Sequence, residues 1–295
     1  MQASRLCPVA GSVVAAVLSA GALAAQQPVT VQWSPRAGAV VRTVTSSRGT
    51  MVFHELNEAG QVIGDSVMGE MSSLAGITHR IVSQQEGNVV VEVRYDSLRT
   101  RAHLMGQDWK DDLLSGTGES AVRVAMDGKL RPLQGADGGL VADPVSDGGI
   151  ASWHGVELPD HPVVPGETWT VTTVYRLPSQ LSGLLDIAVR DSIIATATVR
   201  LDSVAARPTD SLMYFNVQET LPAVTLPVVD AGDSGTVELK GAQAASLVWS
   251  TGWQAFVSGA SQVRVVGQLR SGKAGAAPRL AQINWAISTR LQVRL

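Results

Sequence analysis

The chain of 295 residues has only one cysteine, Cys7, and it lies before the apolar segment at the N-terminus. A lipidated cysteine follows such a segment, so lipidation of Cys7 is not expected. The remaining chain has no thiol for a disulfide, for catalysis, or for a cysteine-based zinc or iron–sulfur site. It also lacks an Asn-x-Ser/Thr glycosylation acceptor. A stable fold must therefore depend on a hydrophobic core alone.

Lysine is scarce too, with 4 residues against 19 arginines, and the basic residues are scattered along a chain of net charge −3. Without a basic stripe to follow phosphates, nucleic-acid binding is disfavoured. Beyond the N-terminus no apolar run approaches the ~18 residues of a spanning helix. Aromatic residues make up only 4% of the chain, which is little for the girdles of an outer-membrane barrel. An integral membrane protein is therefore the less favoured interpretation.

The first residues read "MQASRLCPVAGSVVAAVLSAGALAAQQ". Arg5 supplies a short positive region, residues 9–23 are apolar or small, and small residues precede Gln26. This pattern predicts a secretory signal peptide over residues 1–25, cut after Ala24 or Ala25. An exported chain without cysteine suits a bacterial periplasm or the extracellular space, and the sequence does not separate the two.

The apolar residues of the remaining chain alternate with a period of two, which is typical of strands. Examples are "NVVVEVRY" (88–95), "TATVRL" (196–201) and "SQVRVVGQL" (261–269). The pattern predicts an all-β protein of mostly antiparallel, curved sheets. Only a few short helices are expected, near residues 66–75, 107–115 and 180–186.

Turn signals separate these runs: "NEAG" (57–60), "QEGN" (85–88), "MDGK" (126–129) and "STGW" (250–253). Glycine permits the positive φ that tight hairpin turns require. Asp127-Gly128 in particular predicts a type I′ hairpin between two strands. Together the turns indicate a succession of antiparallel hairpins.

Two pairs of segments resemble each other at a spacing of about 125 residues, which favours an internal duplication. Residues 38–48 resemble 166–176, and residues 122–135 resemble 246–259. We therefore expect a first β-unit over 26–135, a connector over 136–165 and a second β-unit over 166–295, with about six strands in each unit. Chance similarity between Val- and Thr-rich strands is the alternative. Whether the halves form a half-barrel, a barrel or a sandwich stays open.

The connector ends in "LPDHPVVPGETW" (158–169), followed by a Thr/Val-rich strand. Its prolines remove backbone donors, so the segment must run extended or at a sheet edge. It resembles the LPxxPVxxGExW segment of a family of uncharacterised exported bacterial all-β proteins, a domain of unknown function. The resemblance implies that this segment leads from the first β-half into the second. It also implies curved sheets similar to periplasmic lipoprotein or lipid carriers, and it implies no activity.

The same connector concentrates polar residues that could suggest a metal site. They are His154, Glu157, Asp160 and His161. The two histidines are seven residues apart with Gly155 and Pro159 between them, so a helix is not expected. On an extended chain, residues seven apart face opposite sides. We therefore favour a solvated connector that Trp153 and Trp169 anchor to the sheets.

Two further patterns are weak catalytic signals. "GDSG" (232–235) resembles the nucleophile segment of trypsin-like proteases, but the following glycines and the upstream histidine segment are missing. A polar turn is the favoured interpretation, because a serine nucleophile needs a positioned base. His54 beside Glu55, His79 and His103 lie on separate strand-like runs, and a constellation across them is not visible. No catalytic, cofactor-binding or metal-binding residue is therefore assigned.

The sequence favours an exported, non-catalytic binding or accessory module of the bacterial envelope, with an apolar molecule such as a lipid as one candidate ligand. An envelope protein that adds a strand to an open sheet edge is another candidate partner. The alternatives are a hydrolase with a site between the two halves and a structural envelope protein. No cofactor is expected, and the chain is not expected to be an integral membrane protein after signal cleavage.

Overall fold

Eleven strands form one sheet in the computed structural model, which describes residues 27–85, 87–104, 107–113, 122–130, 156–175, 193–230, 233–272 and 277–294. The strands are β1 (Val40–Leu56), β2 (Val62–Gln85), β3 (Asn88–Leu104), β4 (Gln107–Leu113), β5 (Val122–Asp127), β6 (Thr168–Tyr175), β7 (Ile193–Ala206), β8 (Ser211–Asp230), β9 (Asp233–Ser250), β10 (Ala255–Ser271) and β11 (Arg279–Arg294). Within the described ranges, no helix is long and apolar enough to cross a membrane.

The strand order is β4-β3-β2-β1-β11-β10-β9-β8-β7-β6, and β5 pairs with β3 beside β4. Each pairing is antiparallel, so the prediction of an all-β, antiparallel fold is confirmed. The predicted β-units contribute to one sheet, because β1 pairs with β11 from Arg42↔Arg294 to Leu56↔Leu280. Their common origin by duplication stays a prediction.

The predicted turns connect strands as expected where the structure describes both strands. Gly60 and Gly87 have φ values of 76° and 82° in the β1–β2 and β2–β3 turns, a region that suits glycine. After β5, the Leu130 N–H donates to the Asp127 carbonyl at 3.1 Å, so "MDGK" does turn the chain. Leu130, not Gly128, has the positive φ, at 65°, so the prediction of a type I′ turn here is wrong. The second strand of the predicted hairpin lies outside the described residues.

The expected helices are wrong where the structure describes them. Residues 66–75 belong to β2, and residues 107–113 form β4. Val67, Met71 and Leu74 have helical spacing, but β1 and β3 flank this part of the chain and complete a backbone ladder on both sides from residue 70 onward. Strand pairing of this kind overrides local preference. Residues 180–186 lie outside the described part of the chain.

Alternating burial divides the sheet into an inner and an outer face. In β11, residues 281, 283, 285, 287, 289 and 291 are buried, whereas Arg290, Gln292 and Arg294 are exposed. β1 and β9 alternate in the same way. The inner face therefore holds the core, and the outer face is exposed.

The inner face carries two separate apolar clusters. The first, here the connector cluster, includes residues of β2, β3, β5 and β6 to β10, together with Trp33, Leu158 and Val163 from the connecting segments. The second, here the strand cluster, consists of Phe53, Leu226, Val228, Val237, Leu239, Val263, Leu269, Ala281, Ile283, Trp285 and Ile287. The connector cluster has no buried member from β1 or β11, although these two strands lie in the middle of the sheet. Strands from the two halves of the sheet therefore contact each other across the concave face of a curved sheet. Bulges in several strand pairs support this curvature.

Connecting segments join the two borders of the sheet at the connector cluster. Val29 and Val163 exchange backbone hydrogen bonds of 2.8 and 2.9 Å. The Leu158 N–H donates to the Lys129 carbonyl at 3.0 Å, next to the β5 turn, and Lys129 also pairs with Asp160. The β5 border and the β6 border are thus held together by extended chain, as the prolines of this segment predict.

Candidate functional site

The polar residues of the connector do not converge on one point. His161 Nε2 lies 2.7 Å from Glu167 Oε1, while Asp160 pairs with Lys129. Glu157 accepts the Trp169 indole N–H at its backbone carbonyl, at 2.9 Å. His154 lies outside the described residues. The arrangement is that of a structural turn, and within the described ranges no group of three His, Cys, Asp or Glu residues could hold a metal ion.

Glu167 stabilises this turn through its carboxylate. The Val164 N–H donates to Oε2 at 3.0 Å and lowers the pKa of Glu167, and the contact with His161 lowers it further. Gly166 before it has a φ of 93°, a conformation that suits glycine. The connector is less solvated than expected, since Val156, Leu158 and Val163 are buried. Trp169 is half-buried and meets Phe215 edge-on at 5.9 Å between ring centroids.

The strand histidines lie at separate places. His54 Nδ1 is 2.6 Å from Ser66 Oγ at the tip of the β1–β2 hairpin, and His103 Nδ1 is 2.8 Å from Asp108 Oδ1. His79 is buried on the inner face, 3.4 Å from Thr43 Oγ1. Each of these contacts joins neighbouring strands, and the structure does not bring the three histidines together.

Residues 233–235 of the "GDSG" segment belong to the start of β9, and Gly232 lies outside the described residues. Asp230 pairs with Asp233 and Val228 with Gly235 across the β8–β9 hairpin. A Cβ on Gly235 would lie 2.5 Å from the Arg270 carbonyl oxygen, so close packing against β10 explains this glycine. The backbone carbonyl of Ser234 accepts the Gly272 N–H at 3.3 Å. The segment therefore has a structural role in the sheet.

A row of hydroxyls crosses the inner face, which sequence reasoning missed. Ser73, Ser47, Thr289 and Ser261 are successive cross-strand partners on β2, β1, β11 and β10. We call these four residues the hydroxyl row. It lies at the border between the two apolar clusters. Val263 and Ile287 of the strand cluster are the inner-face pair next to Ser261 and Thr289 on β10 and β11.

Hydrogen bonding along the hydroxyl row is incomplete. Ser47 Oγ lies 3.0 Å from Thr289 Oγ1. Ser261 is 3% exposed, and its Oγ has no hydrogen-bond partner among the described residues. One inner position further, Glu219 and Gln243 are opposite each other on β8 and β9, and both are buried. A buried hydroxyl without a partner is costly, so stability alone does not explain Ser261.

A second polar cluster fastens the β9–β10 turn. Asp210 accepts hydrogen bonds from the Gly252 N–H at 2.7 Å, Ser250 Oγ at 2.8 Å and Thr251 Oγ1 at 3.1 Å. Burial alone would raise the pKa of Asp210, but these donors outweigh it and lower the pKa below its ordinary 3.8. We call this cluster the Asp210 clasp.

Gln254 connects the Asp210 clasp to the N-terminal segment. Its side-chain amide donates to the Thr251 carbonyl at 2.8 Å, and its side-chain oxygen accepts the Ser34 N–H at 2.7 Å. Its backbone carbonyl accepts the Trp33 indole N–H at 3.0 Å. The clasp therefore locks Trp33 into the connector cluster.

No family model matches the chain, and no curated protein matches it by sequence. Among solved structures, an outer membrane channel from Pseudomonas putida F1 is similar at 9% identity, with a TM-score of 0.23 over 91% of this chain and 99% of that chain. A likeness this weak carries no argument about fold or function. The family resemblance of the "LPDHPVVPGETW" segment stays an expectation.

Proposed function

We propose that the chain is an exported protein of the bacterial envelope that binds an amphiphile with an acyl chain, such as a lipid, on its inner face. It works by binding and not by catalysis. The observation that carries the proposal is the hydroxyl row between two apolar clusters. The export part of the proposal rests on the N-terminal signal pattern.

The hydroxyl row supports this ligand class because it suits a molecule that is mostly apolar and has one hydrogen-bonding group. Ser261 Oγ offers a donor and an acceptor in surroundings that exclude water. A polar group placed against Ser261 would satisfy that hydroxyl, and an acyl chain could run along the strand cluster. Ligand sites are commonly apolar with a few placed polar groups.

The outer face supports a protein whose surroundings are aqueous. The face opposite the two clusters exposes arginines: Arg264 and Arg270 on β10, and Arg290 and Arg294 on β11. Charged side chains on a lipid-facing surface would be costly, whereas they are normal against water. An apolar ligand is therefore expected inside the curve of the sheet.

Tryptophan quenching by a brominated fatty acid tests the proposal. Trp285 belongs to the strand cluster, so dibromostearate bound there is expected to quench its emission saturably. Replacing Trp285 by Phe should remove part of that quenching. The matched control is Trp253→Phe, at an exposed turn position, which should leave the quenched share unchanged.

Lipid extraction supplies the independent measurement. Protein purified from a bacterial periplasm, without added detergent, is extracted with organic solvent and analysed by mass spectrometry. A stoichiometric acyl lipid in the extract would support the proposal. An extract without lipid, together with no saturable quenching of the folded protein, would overturn it.

A further inference from the structure

One border of β2 has no strand beside it. β2 pairs with β1 from Val40↔Arg80 to Leu56↔Val62, but its pairing with β3 begins only at Glu70↔His103. Among the residues that the structure describes, nothing pairs with the other side of residues 62–69. We call this stretch the β2 edge. The strand pairing argued for it does not depend on the ligand proposed for the inner face.

The β2 edge also exposes apolar side chains on both of its faces. Residues 62–68 are all exposed, and the apolar ones include Val62 at 53% and Met68 at 60%. Ile63 and Val67 are exposed as well. Natural sheets usually protect an edge with lysine, proline, a β-bulge or a covering loop, and this edge has a bulge opposite Phe53 and Glu55. None of the residues from 62 to 69 is a lysine or a proline.

The backbone phase shows which residues of the β2 edge offer their amides to a new strand. Ile81 directs its backbone to the β1 side, since its N–H donates to the Ala39 carbonyl at 2.9 Å and its carbonyl accepts the Gly38 N–H at 2.8 Å. The β1–β2 register then runs without a shift to Phe53↔Val67. Backbone groups alternate sides along a strand. Met68 therefore points its N–H and C=O away from β1, whereas a bulge interrupts the ladder between Val67 and Ile63.

The charge around this edge is negative. Asp65 and Glu70 lie on or next to it, and Glu55 and Glu58 belong to the same hairpin tip. Glu55 is paired with Arg279 at 2.9 Å, which leaves a surplus of carboxylates. A second copy of the chain fits poorly, because two β2 edges paired antiparallel about their centre would bring two Asp65 carboxylates together. A basic partner fits well.

We propose that the β2 edge takes an extended segment of another protein as an added strand, and that this segment carries both apolar and basic side chains. Backbone hydrogen bonds with residues such as Met68 supply the pairing, as in other strand-addition complexes. The exposed Val62, Ile63, Val67 and Met68 receive the apolar side chains. The carboxylates select the basic ones.

Two nine-residue probes test this proposal on the full mature chain. One is a capped peptide of alternating valine and lysine, and the other is its valine–glutamate counterpart. The lysine peptide should bind with an affinity that falls as salt rises, and hydrogen exchange should slow at residues 62–69. Met68→Pro should weaken its binding roughly tenfold or more, because proline removes an outward donor while the β1–β2 ladder is kept.

Leu74→Ser is the matched control. Leu74 is a similarly exposed apolar residue of β2, but Arg99 of β3 lies opposite it and completes the ladder there. This variant should bind the lysine peptide as the unchanged protein does. Asp65→Lys gives a second test that leaves the backbone unaltered, and it should also weaken binding.

Equal affinity for the two peptides would overturn the proposal, as would unchanged binding in both Met68→Pro and Asp65→Lys. Circular dichroism establishes that each variant is folded. Dimerisation of the unchanged protein in analytical ultracentrifugation, abolished by Met68→Pro, would assign the edge to a second copy and refute the basic partner.

Discussion

The two ends of the sheet differ in what closes them. At the connector cluster, residues of β2, β3, β5 and β6 to β10 form the core, and Trp33, Leu158 and Val163 from outside the strands complete it. At the strand cluster the sheet narrows to β2, β1, β11, β10, β9 and β8, since β7 pairs with β8 only from Thr196↔Thr220 and β3 with β2 only from Glu70↔His103. The buried members of the strand cluster come from strands alone.

This difference indicates that one end of the sheet mainly stabilises the fold and that the other end is suited to binding. The Asp210 clasp and the connecting segments fix the backbone around the connector cluster at many points. The strand cluster is bordered by hairpin turns and by the β2 edge. A region with fewer fixing contacts opens locally at lower cost, and binding regions tend to be drawn from such parts of a fold. We therefore expect stability to depend mainly on the connector cluster.

The largest expected effect comes from truncating tryptophan in each cluster. Trp249 is fully buried in the connector cluster and meets Phe256 edge-on at 5.1 Å. Trp249→Ala should lower the free energy of unfolding by ~3–5 kcal/mol, the usual cost for a buried aromatic. Trp285→Ala in the strand cluster should lower the free energy of unfolding by less, because the residues around Trp285 can move into the cavity that the substitution leaves. Urea denaturation followed by circular dichroism measures both.

Trp253→Ala is the control for these two substitutions. The side chain of Trp253 is exposed at the β9–β10 turn, so its removal should change stability by no more than ~0.5 kcal/mol. If Trp285→Ala proved as costly as Trp249→Ala, the proposed difference between the two ends would be wrong.

A smaller effect, with a pH signature, is expected at the Asp210 clasp. Asp210→Ala should cost roughly 1–3 kcal/mol, because donors such as the Gly252 N–H and Ser250 Oγ lose their acceptor. The pKa of Asp210 is lower in the folded state than its ordinary 3.8. Its stabilisation is therefore complete above that ordinary value and is lost as the pH falls through the lower, folded-state pKa.

The free energy of unfolding, measured between pH 7 and pH 2, distinguishes the contribution of Asp210 from that of the other carboxylates. The difference in stability between the unchanged protein and Asp210→Ala should shrink as the medium becomes acidic below the ordinary pKa of aspartate. Glu238→Ala, at an exposed outer position of β9, is the matched carboxylate control. A difference that stays constant over this range would show that the charge of Asp210 does not stabilise the turn.

The local features of the fold could be predicted from the sequence. Period-two alternation identified runs such as 196–201 and 261–269, and glycines such as Gly60 and Gly87 marked the turns. These signals are local, because they depend on side-chain phase and on permitted φ values. Residues 66–75 misled the prediction, since pairing with β1, and from residue 70 onward also with β3, decided their conformation.

The hydroxyl row and the β2 edge could not be predicted, because both depend on register between distant strands. Ser47 and Thr289 are 242 residues apart in sequence, and nothing in either strand shows that they will be opposite. The face on which each residue lies could have been predicted from the alternation within its strand, as Ser47 and Phe53 on the same side of β1 show. Which strands become neighbours could not be predicted from the sequence, and therefore the open border of β2 could not be predicted either.

The smallest expected effect distinguishes the two kinds of hydroxyl in the row. Ser47→Ala removes the hydrogen bond to Thr289 and should destabilise the protein by ~1 kcal/mol. Ser261→Ala removes a buried hydroxyl that lacks a partner among the described residues, so the free energy of unfolding should stay unchanged or rise by up to ~1 kcal/mol. If the row serves a ligand, the Ser261→Ala protein should also bind dibromostearate more weakly than the unchanged protein. A loss of stability in Ser261→Ala as large as that in Ser47→Ala would mean that Ser261 is an ordinary part of the core, and the border between the clusters would then need no ligand to explain it.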